Sequence, residues 1–130
     1  MSGETNLEVL LKTMSPKLNS GEFVFCAVDT LENIDITTVE MFFREEEKIT
    51  LILKKETAEE LQLSYTFVAS WITLTVNSSL EAVGLTAAFS NALSKENISC
   101  NVVAAYYHDH IFVDVKDAQK AMKILNKFSE

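Results

Sequence analysis

Cysteine and histidine, the side chains that most often carry thiol and metal chemistry, are scarce in this sequence, with two of each among 130 residues. Cys26 and Cys100 both lie inside apolar stretches typical of β-strands, where a reduced cysteine behaves as a small buried hydrophobe. A catalytic thiol needs an electropositive and partly exposed setting, which neither neighbourhood provides. We therefore assign no chemistry to the cysteines.

Long apolar runs are also missing, so the sequence predicts no transmembrane helix and no membrane partner. The first residues, MSGETNLEV, lack the basic segment followed by an apolar one that is typical of a secretion signal. We expect a cytoplasmic protein.

Basic residues are in the minority, since 11 Lys and Arg face 19 Asp and Glu and give a formal net charge of −8. Nucleic-acid binding requires a clustered basic surface, so we expect no nucleic-acid partner. The longest charge run, residues 44–48, is mostly acidic and lies between two apolar stretches, as is typical of a solvated hairpin loop.

Catalytic signatures are missing as well: the sequence has no nucleophile elbow, no phosphate loop and no set of four metal ligands. His108-Asp109-His110 could place two imidazoles on one face of a strand, which suits zinc, but no third or fourth ligand is evident. A polar hairpin turn is the simpler interpretation of these residues. We predict no enzyme activity, no catalytic residue, no metal and no cofactor; a small metal protein or enzyme built on this turn is an alternative.

Helices are indicated by periodic apolar residues and by capping patterns. Three segments match the capping box, in which side chains satisfy the free N–H groups at a helix start: Thr5-x-x-Glu8, Thr57-x-x-Glu60 and Ser78-x-x-Glu81. Pro16 is expected to end the first helix, and a last helix is expected to open at Asp114 or Asp117.

Strands are indicated by the remaining apolar stretches. Phe23–Val28 is apolar on both faces, which is typical of a central strand, whereas residues 72–76 alternate and show one apolar face. Two hairpins are expected, one around the acidic loop and one around His108-Asp109-His110.

The predicted order, α-β-β-β-α and then β-α-β-β-α, indicates an α+β protein with two degenerate copies of a ferredoxin-like plan, in residues 1–65 and 66–130. The first half lacks a helix between its opening strand and its hairpin, and the second half lacks a closing strand. A missing strand would leave an unpaired sheet edge, which proteins usually cover. We expect the halves to be intertwined, with Phe23–Val28 serving the sheet of the other half.

The segment from Val83, VGLTAAFSNALSKENISCNVVAAYYHDHIFV, resembles the ACT domain, a regulatory fold that binds small molecules. SSLEAVGLTAA and HDHIFV carry the most specific part of the resemblance. The whole chain is similar to a family of small, mostly bacterial, tandem-ACT proteins of uncharacterised function. A similar arrangement occurs in the regulatory part of aspartokinases and in the cytosolic arginine sensor of animal cells.

This resemblance implies a ferredoxin-like ACT fold of two intertwined units, with antiparallel sheets and helices on one face. It also implies a non-catalytic regulatory or sensor protein that binds an amino acid or similar small metabolite between units. Units of this family pair side by side, so we expect a homodimer or higher homo-oligomer. Because no catalytic domain is attached, the output would pass through an unknown protein partner or through changed assembly.

By the same resemblance, the ligand would lie at the strand-to-helix turn and beside the second hairpin. The expected ligand-binding residues are Asn77, Ser78, Ser79, Val83, Gly84, Leu85, His108 and Asp109. Three of them have a structural alternative, since Ser78 and Ser79 could act only as caps and Gly84 could serve only close packing. Asn77 stands where the family would have histidine, which could alter ligand preference, and Lys48 stands where a glycine often closes the first hairpin.

A ligand-free module with a structural or protein-interaction role is the other alternative, because few polar groups converge at the expected site. Fold alone does not decide between these functions.

Overall fold

Contacts within the computed structural model, which describes residues 6–76 and 83–130, divide the chain into two units. The larger unit comprises Met1–Ser20 and Ser70–Glu130, and the smaller unit comprises Gly21–Ala69. This division groups the first part of the chain with the C-terminal part, and the expected boundary between residues 65 and 66 stays a prediction.

The described residues of the larger unit form three α-helices and one sheet. Its elements are α1 (Leu7–Thr13), β1 (Ser15–Leu18), most of β5 (Val68–Thr75), α3 (Leu85–Lys95), β6 (Asn101–Ala104), β7 (Asp109–Asp114) and α4 (Ala118–Asn126). The strands lie in the order β1-β5-β7-β6. The β5-α3-β6-β7-α4 run is the ferredoxin-like plan expected from the sequence.

β1 supplies the closing strand that the second half lacks. Its register against β5 is antiparallel and places Ser15 opposite Thr75 and Leu18 opposite Ile72. The two halves are intertwined, as expected, but the strand that closes this sheet is β1, whereas Phe23–Val28 meets the second half only at Val68 and Ala69. Pro16 lies inside β1. Proline has no N–H to donate to a neighbouring strand, so within sheets it is tolerated mainly on edge strands.

The core of the larger unit lies between its helices and one face of its sheet. Leu10 of α1, Phe89 of α3 and Leu125 of α4 are fully buried in one cluster with Ile72 and Ile111 of the sheet. Since side chains alternate along a strand, Trp71, Thr73, His110 and Phe112 lie on the opposite face. The predicted arrangement of helices on one face of the sheet is thus found in this unit.

The smaller unit contains one short helix. Its elements are β2 (Phe23–Val28), β3 (Val39–Arg44), β4 (Ile49–Lys54) and α2 (Lys55–Glu60), with the first two residues of β5. β2 pairs with β4 along its whole length and with Val68 and Ala69 at its start, all antiparallel. The doubly apolar β2 is therefore a central strand of its own unit, where Val24 and Cys26 join the buried cluster.

The segment between β2 and β3 forms only a 3₁₀ turn, Ile36–Thr38, capped by Asp35. The sequence-based expectation that a helix is missing here is confirmed. In the described parts of the chain, no helix has the length and apolar character needed to cross a membrane.

Two of the capping predictions need correction. α1 begins after Asn6, whose side chain accepts a hydrogen bond from the Val9 N–H, and Thr57 lies inside α2, which begins after Lys54 without a side-chain cap. Asp114, by contrast, caps the 3₁₀ turn that leads into α4, because its side chain accepts from the Lys116 N–H.

Candidate functional site

The C-terminal end of β5 and the start of β7 lie side by side in the larger unit. His108 Nδ1 is 3.3 Å from the carbonyl oxygen of Val76, which is 5% exposed. Because a carbonyl oxygen can only accept, this contact requires the Nδ1–H form of His108. The contact fixes the residue before β7 beside the C-terminal end of β5.

The tip of this hairpin is formed by two tyrosines, and the predicted turn at His108-Asp109-His110 is wrong. The Ala105 N–H donates to the His108 carbonyl at 3.1 Å, so Tyr106 and Tyr107 form the tip and β7 begins at Asp109. Their rings meet edge to face, with centroids 4.9 Å apart. The two tyrosine side chains are 57% and 66% exposed in the chain.

Asp109 lies on the helix side of the sheet, because it alternates with the buried residues Ile111 and Val113. Burial raises the pKa of the Asp109 carboxyl, and the neighbouring His108 offsets part of that effect. Asp109 and His108 therefore face opposite sides of the sheet at the same end of β7.

α3 begins at Leu85 after a glycine in the left-handed region. Gly84 has φ +94° and ψ −14°, and as a glycine it supplies no side chain to cap the first turn of the helix. Leu85 is buried in the core and Val83 is 82% exposed. Gly84 therefore precedes α3 and is not one of its helical residues.

Backbone conformation and packing both favour glycine at position 84. A Cβ built there would lie 3.1 Å from Cδ2 of Leu7 in α1, a contact tighter than nine in ten real Cβ contacts. Asn77, Ser78, Ser79 and the Ser78–Glu81 capping box lie outside the described residues, so the expectations on them stay predictions.

The opposite face of the sheet carries a hydrogen-bonded network that the sequence analysis missed. The Trp71 Nε1–H donates to His110 Nδ1 at 2.9 Å, and Thr73 Oγ1 lies 3.1 Å from the same nitrogen. Asn19 Nδ2 donates to Thr73 Oγ1 at 2.9 Å. Because Trp71 can only donate, His110 Nδ1 must accept and the ring must be in its neutral form.

The surroundings of His110 favour that neutral form. Burial lowers the pKa of His110, and the nearby His108 lowers it further. The two imidazoles lie on one face, as the sequence predicts, with ring centroids 6.5 Å apart. Over residues 6–76 and 83–130, no group of three or more His, Cys, Asp or Glu side chains is placed to hold a metal ion.

The sequence places both cysteines in strands. Cys26 lies in β2, whereas Cys100 immediately precedes β6. Cys26 is buried and Cys100 is partly buried, and both thiols are free. Burial raises the pKa of each thiol, which disfavours the nucleophilic thiolate.

Comparison with known families identifies the class of protein. Models of the ACT domain match residues 2–70 and residues 66–127. The chain belongs to the ACT-domain family and carries two ACT-domain matches in tandem.

Solved structures agree with this assignment. A Vibrio cholerae protein of unknown function, described as a possible transport protein, is 46% identical, with a TM-score of 0.87 over 95% of this chain and 96% of that one. A protein from Agrobacterium tumefaciens is 15% identical (TM-score 0.72, 89% of each chain). The regulatory subunit of aspartate kinase from Thermus thermophilus is 10% identical (TM-score 0.66, 92% of this chain and 99% of that one). The last two show likeness of fold alone, and comparison with curated proteins gives no match.

Family membership supports a regulatory role that depends on binding a small molecule. ACT regulatory domains bind small metabolites and often form oligomers, and proteins made only of such domains are generally without catalytic activity.

Proposed function

We propose that this protein is a cytoplasmic sensor that binds an amino acid at the end of β5 in the larger unit, without catalysing a reaction. The observation that carries the proposal is the placement of Asp109, a partly buried carboxyl with a raised pKa, at the end of the sheet where His108 contacts Val76. A partly buried carboxylate costs free energy unless a charged or hydrogen-bonded partner meets it. A ligand ammonium would be such a partner.

The start of α3 offers complementary groups for the ligand carboxylate. The first N–H groups of a helix have no partner within the helix, and the helix dipole favours an anion there. The residue before α3, Gly84, has no side chain that could take this role. An α-amino acid carries the two charges that Asp109 and the helix start would meet.

Binding would act by favouring one arrangement of the protein over another. A ligand shifts such an equilibrium only by its differential affinity for the two states. The output would then pass through self-association or through a protein partner.

A thermal-shift screen against the twenty amino acids and common biosynthetic intermediates tests the proposal. A compound that binds only the folded state adds about 2.7 kcal/mol of stability at 100 times its Kd. One compound, or a few related ones, should raise the Tm. An unchanged Tm with every compound at millimolar concentration would contradict the proposal.

Site variants then locate the binding. Asp109→Asn keeps the shape of the side chain and removes its charge, so it should weaken binding roughly 10-fold to 100-fold, as expected for a charged hydrogen bond. Asp117→Asn is the matched control, because Asp117 precedes α4 and makes no side-chain capping bond there. Equal binding by the two variants would place the ligand elsewhere.

A protein-interaction module is the second candidate function, and the exposed pair Tyr106 and Tyr107 favours it. Tyrosine is enriched at protein interfaces, because its ring buries a large area while its hydroxyl stays hydrogen-bonded. Under this function no metabolite shifts the Tm, whereas sedimentation velocity shows self-association that a Tyr106→Ser, Tyr107→Ser variant reduces.

A further inference from the structure

The negative charge of this chain is concentrated in its smaller unit. Residues 21–69 carry 11 Asp and Glu against 4 Lys and Arg, a formal charge of −7, whereas the rest of the chain carries 8 against 7, a formal charge of −1. A field of one sign attracts partners of the opposite sign and speeds their association. A surface of the smaller unit that holds a partner should therefore hold a basic one.

The sheet of the smaller unit has a second face, opposite α2, and part of this face forms a trough. Phe43, Thr50 and Ala27 lie on it, because their neighbours along the strands pack in the buried cluster beside α2. The three residues form a row across β3, β4 and β2, since Thr50 pairs with both Phe43 and Ala27. Ala27 and Thr50 form the floor of the trough, and Phe43, which is 63% exposed, forms one wall.

The other side of the trough opens into a cleft of about 390 Å³. Its lining includes Phe25 and Ala27 of β2, Thr50 of β4 and residues 64–66, which precede β5. The Phe25 ring lies beside Phe67, with ring centroids 6.4 Å apart. Cavities that hold ligand groups usually measure roughly 300–1,000 Å³, so the floor and the cleft together can accommodate an apolar side chain.

Carboxylates lie at the hairpin side of the trough. The Thr50 hydroxyl donates to Glu45 Oε1, which holds the Glu45 carboxylate on the same face as Thr50. Glu47 lines that end of the face together with Glu45 and Lys48. Lys48 is paired with Asp29, with 3.7 Å between Nζ and Oδ1. The trough therefore has exposed apolar area and negative charge side by side.

The other basic residues of the smaller unit lie away from these carboxylates. The Arg44 guanidinium lies 5.2 Å from the centre of the Phe42 ring, which packs on the α2 side of the sheet. Lys55 pairs with Glu22 at 3.5 Å. Lys54 shares the face of the trough but ends β4, about 13 Å beyond the trough at roughly 3.3 Å per residue.

A second copy of this chain fits the trough poorly. A two-fold contact pairs the same patch of both copies, so it would bring together the Glu45 and Glu47 carboxylates of the two copies, and like charges repel. A basic partner would be attracted by the same carboxylates. The exposed aromatic wall also fits a protein partner, because aromatic side chains are enriched at protein interfaces.

We propose that the trough is a docking surface for a basic segment of a partner protein, in which lysine or arginine residues flank an aromatic side chain. The aromatic side chain lies over Ala27 and Thr50, and the flanking cations meet Glu45 and Glu47. The trough lies wholly within the smaller unit, so it does not depend on the amino-acid site proposed for the larger one.

Backbone amide NMR of the full chain tests the proposal with three synthetic peptides, all acetylated and amidated at their ends. The first is Arg-Lys-Phe-Lys-Arg, the second has glycine in place of phenylalanine, and the third is Glu-Glu-Phe-Glu-Glu. The first should shift the amides of Ala27, Phe43 and Thr50, and each of the others should bind roughly fivefold more weakly or less. Equal binding of the first two peptides, or no shift of these amides with the first at millimolar concentration, would overturn the proposal.

Paired glutamate variants separate docking from general attraction. Glu45→Gln with Glu47→Gln should weaken binding of the first peptide roughly three- to tenfold, because two exposed charge contacts are lost. Glu56→Gln with Glu60→Gln is the matched control, since these exposed glutamates lie in α2 and the net charge changes equally. Equal weakening by the two pairs would mean attraction by net charge alone and would refute docking in the trough.

Ala27→Leu fills the floor of the trough and keeps every charge. Because Ala27 is exposed, the variant should fold like the parent chain, which circular dichroism checks. Its affinity for the phenylalanine peptide should fall to that for the glycine peptide. An unchanged preference for phenylalanine would place the aromatic side chain elsewhere and contradict the proposal.

Sedimentation velocity of the protein alone tests the second copy as the occupant. A dimer that Phe43→Ser abolishes would make a second copy the occupant of the trough and overturn the proposal. A sedimentation profile that Phe43→Ser leaves unchanged would support a partner protein.

Discussion

Replacing Gly84 with alanine tests whether the start of α3 is built as described. Gly84 has φ +94° and precedes the helix, and as a glycine it has no side chain that could cap the helix start. Alanine adds one methyl group and no new polar atom, so its effect reports the backbone conformation and the space around it.

The expected loss of stability combines two contributions. An L-residue in the left-handed region costs about 1–2 kcal/mol relative to glycine. The new methyl group would also lie 3.1 Å from Cδ2 of Leu7, but Leu7 is only partly buried and its side chain can move by a few tenths of an ångström. We expect a total loss of about 1–3 kcal/mol.

Gly21→Ala is the matched control for the backbone contribution. Gly21 has a similar φ of +100°, and a Cβ there would lie 3.9 Å from the Phe23 ring, an ordinary contact. Gly84→Ala should therefore cost at least as much as Gly21→Ala. Adding Leu7→Ala to Gly84→Ala isolates the contact with Leu7 by a double-mutant cycle.

Urea unfolding measures these changes. The single tryptophan, Trp71, lies in the larger unit and provides a local fluorescence signal, while circular dichroism reports the whole chain. Coincident transitions would justify a two-state treatment. A Gly84→Ala midpoint equal to or above that of the parent protein would refute the left-handed conformation at residue 84.

Three further predictions concern the core, the network on the sheet and the hairpin tip. Phe89→Ala should lower the free energy of unfolding by about 3–5 kcal/mol because Phe89 is fully buried, and a loss under 1 kcal/mol in urea unfolding would contradict this packing. The free energy of unfolding should fall as the pH drops below about 6.5, because the pKa of His110 is lowered in the folded chain and the unfolded chain therefore binds the proton more readily. His110→Gln should weaken this pH dependence in unfolding curves measured from pH 7.5 to 5.5, and an unchanged slope would contradict the prediction. Tyr106→Ser with Tyr107→Ser should change the stability of the chain by less than about 0.5 kcal/mol, since both side chains are largely exposed, and a larger loss would mean that the tip is packed.

The fold was predictable from the sequence where apolar residues recur with a clear period. β2, the Ile72 face of β5 and the apolar face of α3 could all be assigned in this way, and so could the missing helix before β3. Helix starts were less predictable, because a Ser or Thr three residues before a Glu is common by chance. Thr57 shows this, since it lies inside α2 and caps nothing.

β1 could not be found from the sequence, for a physical reason. Ser15–Leu18 is four residues long and contains Pro16 and Lys17, so it shows no apolar alternation. Its strand conformation follows from pairing with β5, a contact with residues far along the chain. Tertiary pairing overrides local propensity in such short strands, and only the missing closing strand of the other half indicated that some early strand must play this part.

The chemistry of the candidate site depends on the register of the β6–β7 hairpin. The sequence analysis placed the tip of this hairpin at residues 108–110, too far toward the C-terminus. With the tip at Tyr106 and Tyr107, Asp109 belongs to β7, and its carboxyl lies on the same side as Ile111 and Val113. A tip at residues 108–110 would have left that carboxyl in solvent, with no reason for a raised pKa. Extending the alternation of Ile111 and Val113 back by two residues gives the correct face, since one residue of slip moves every side chain to the other side of a sheet. The same register leaves His108 on the opposite face, beside His110. Under the proposed function, Asp109 is therefore the residue of the His-Asp-His segment that would meet a ligand ammonium on the helix side, while His108 contacts the end of β5 through Val76.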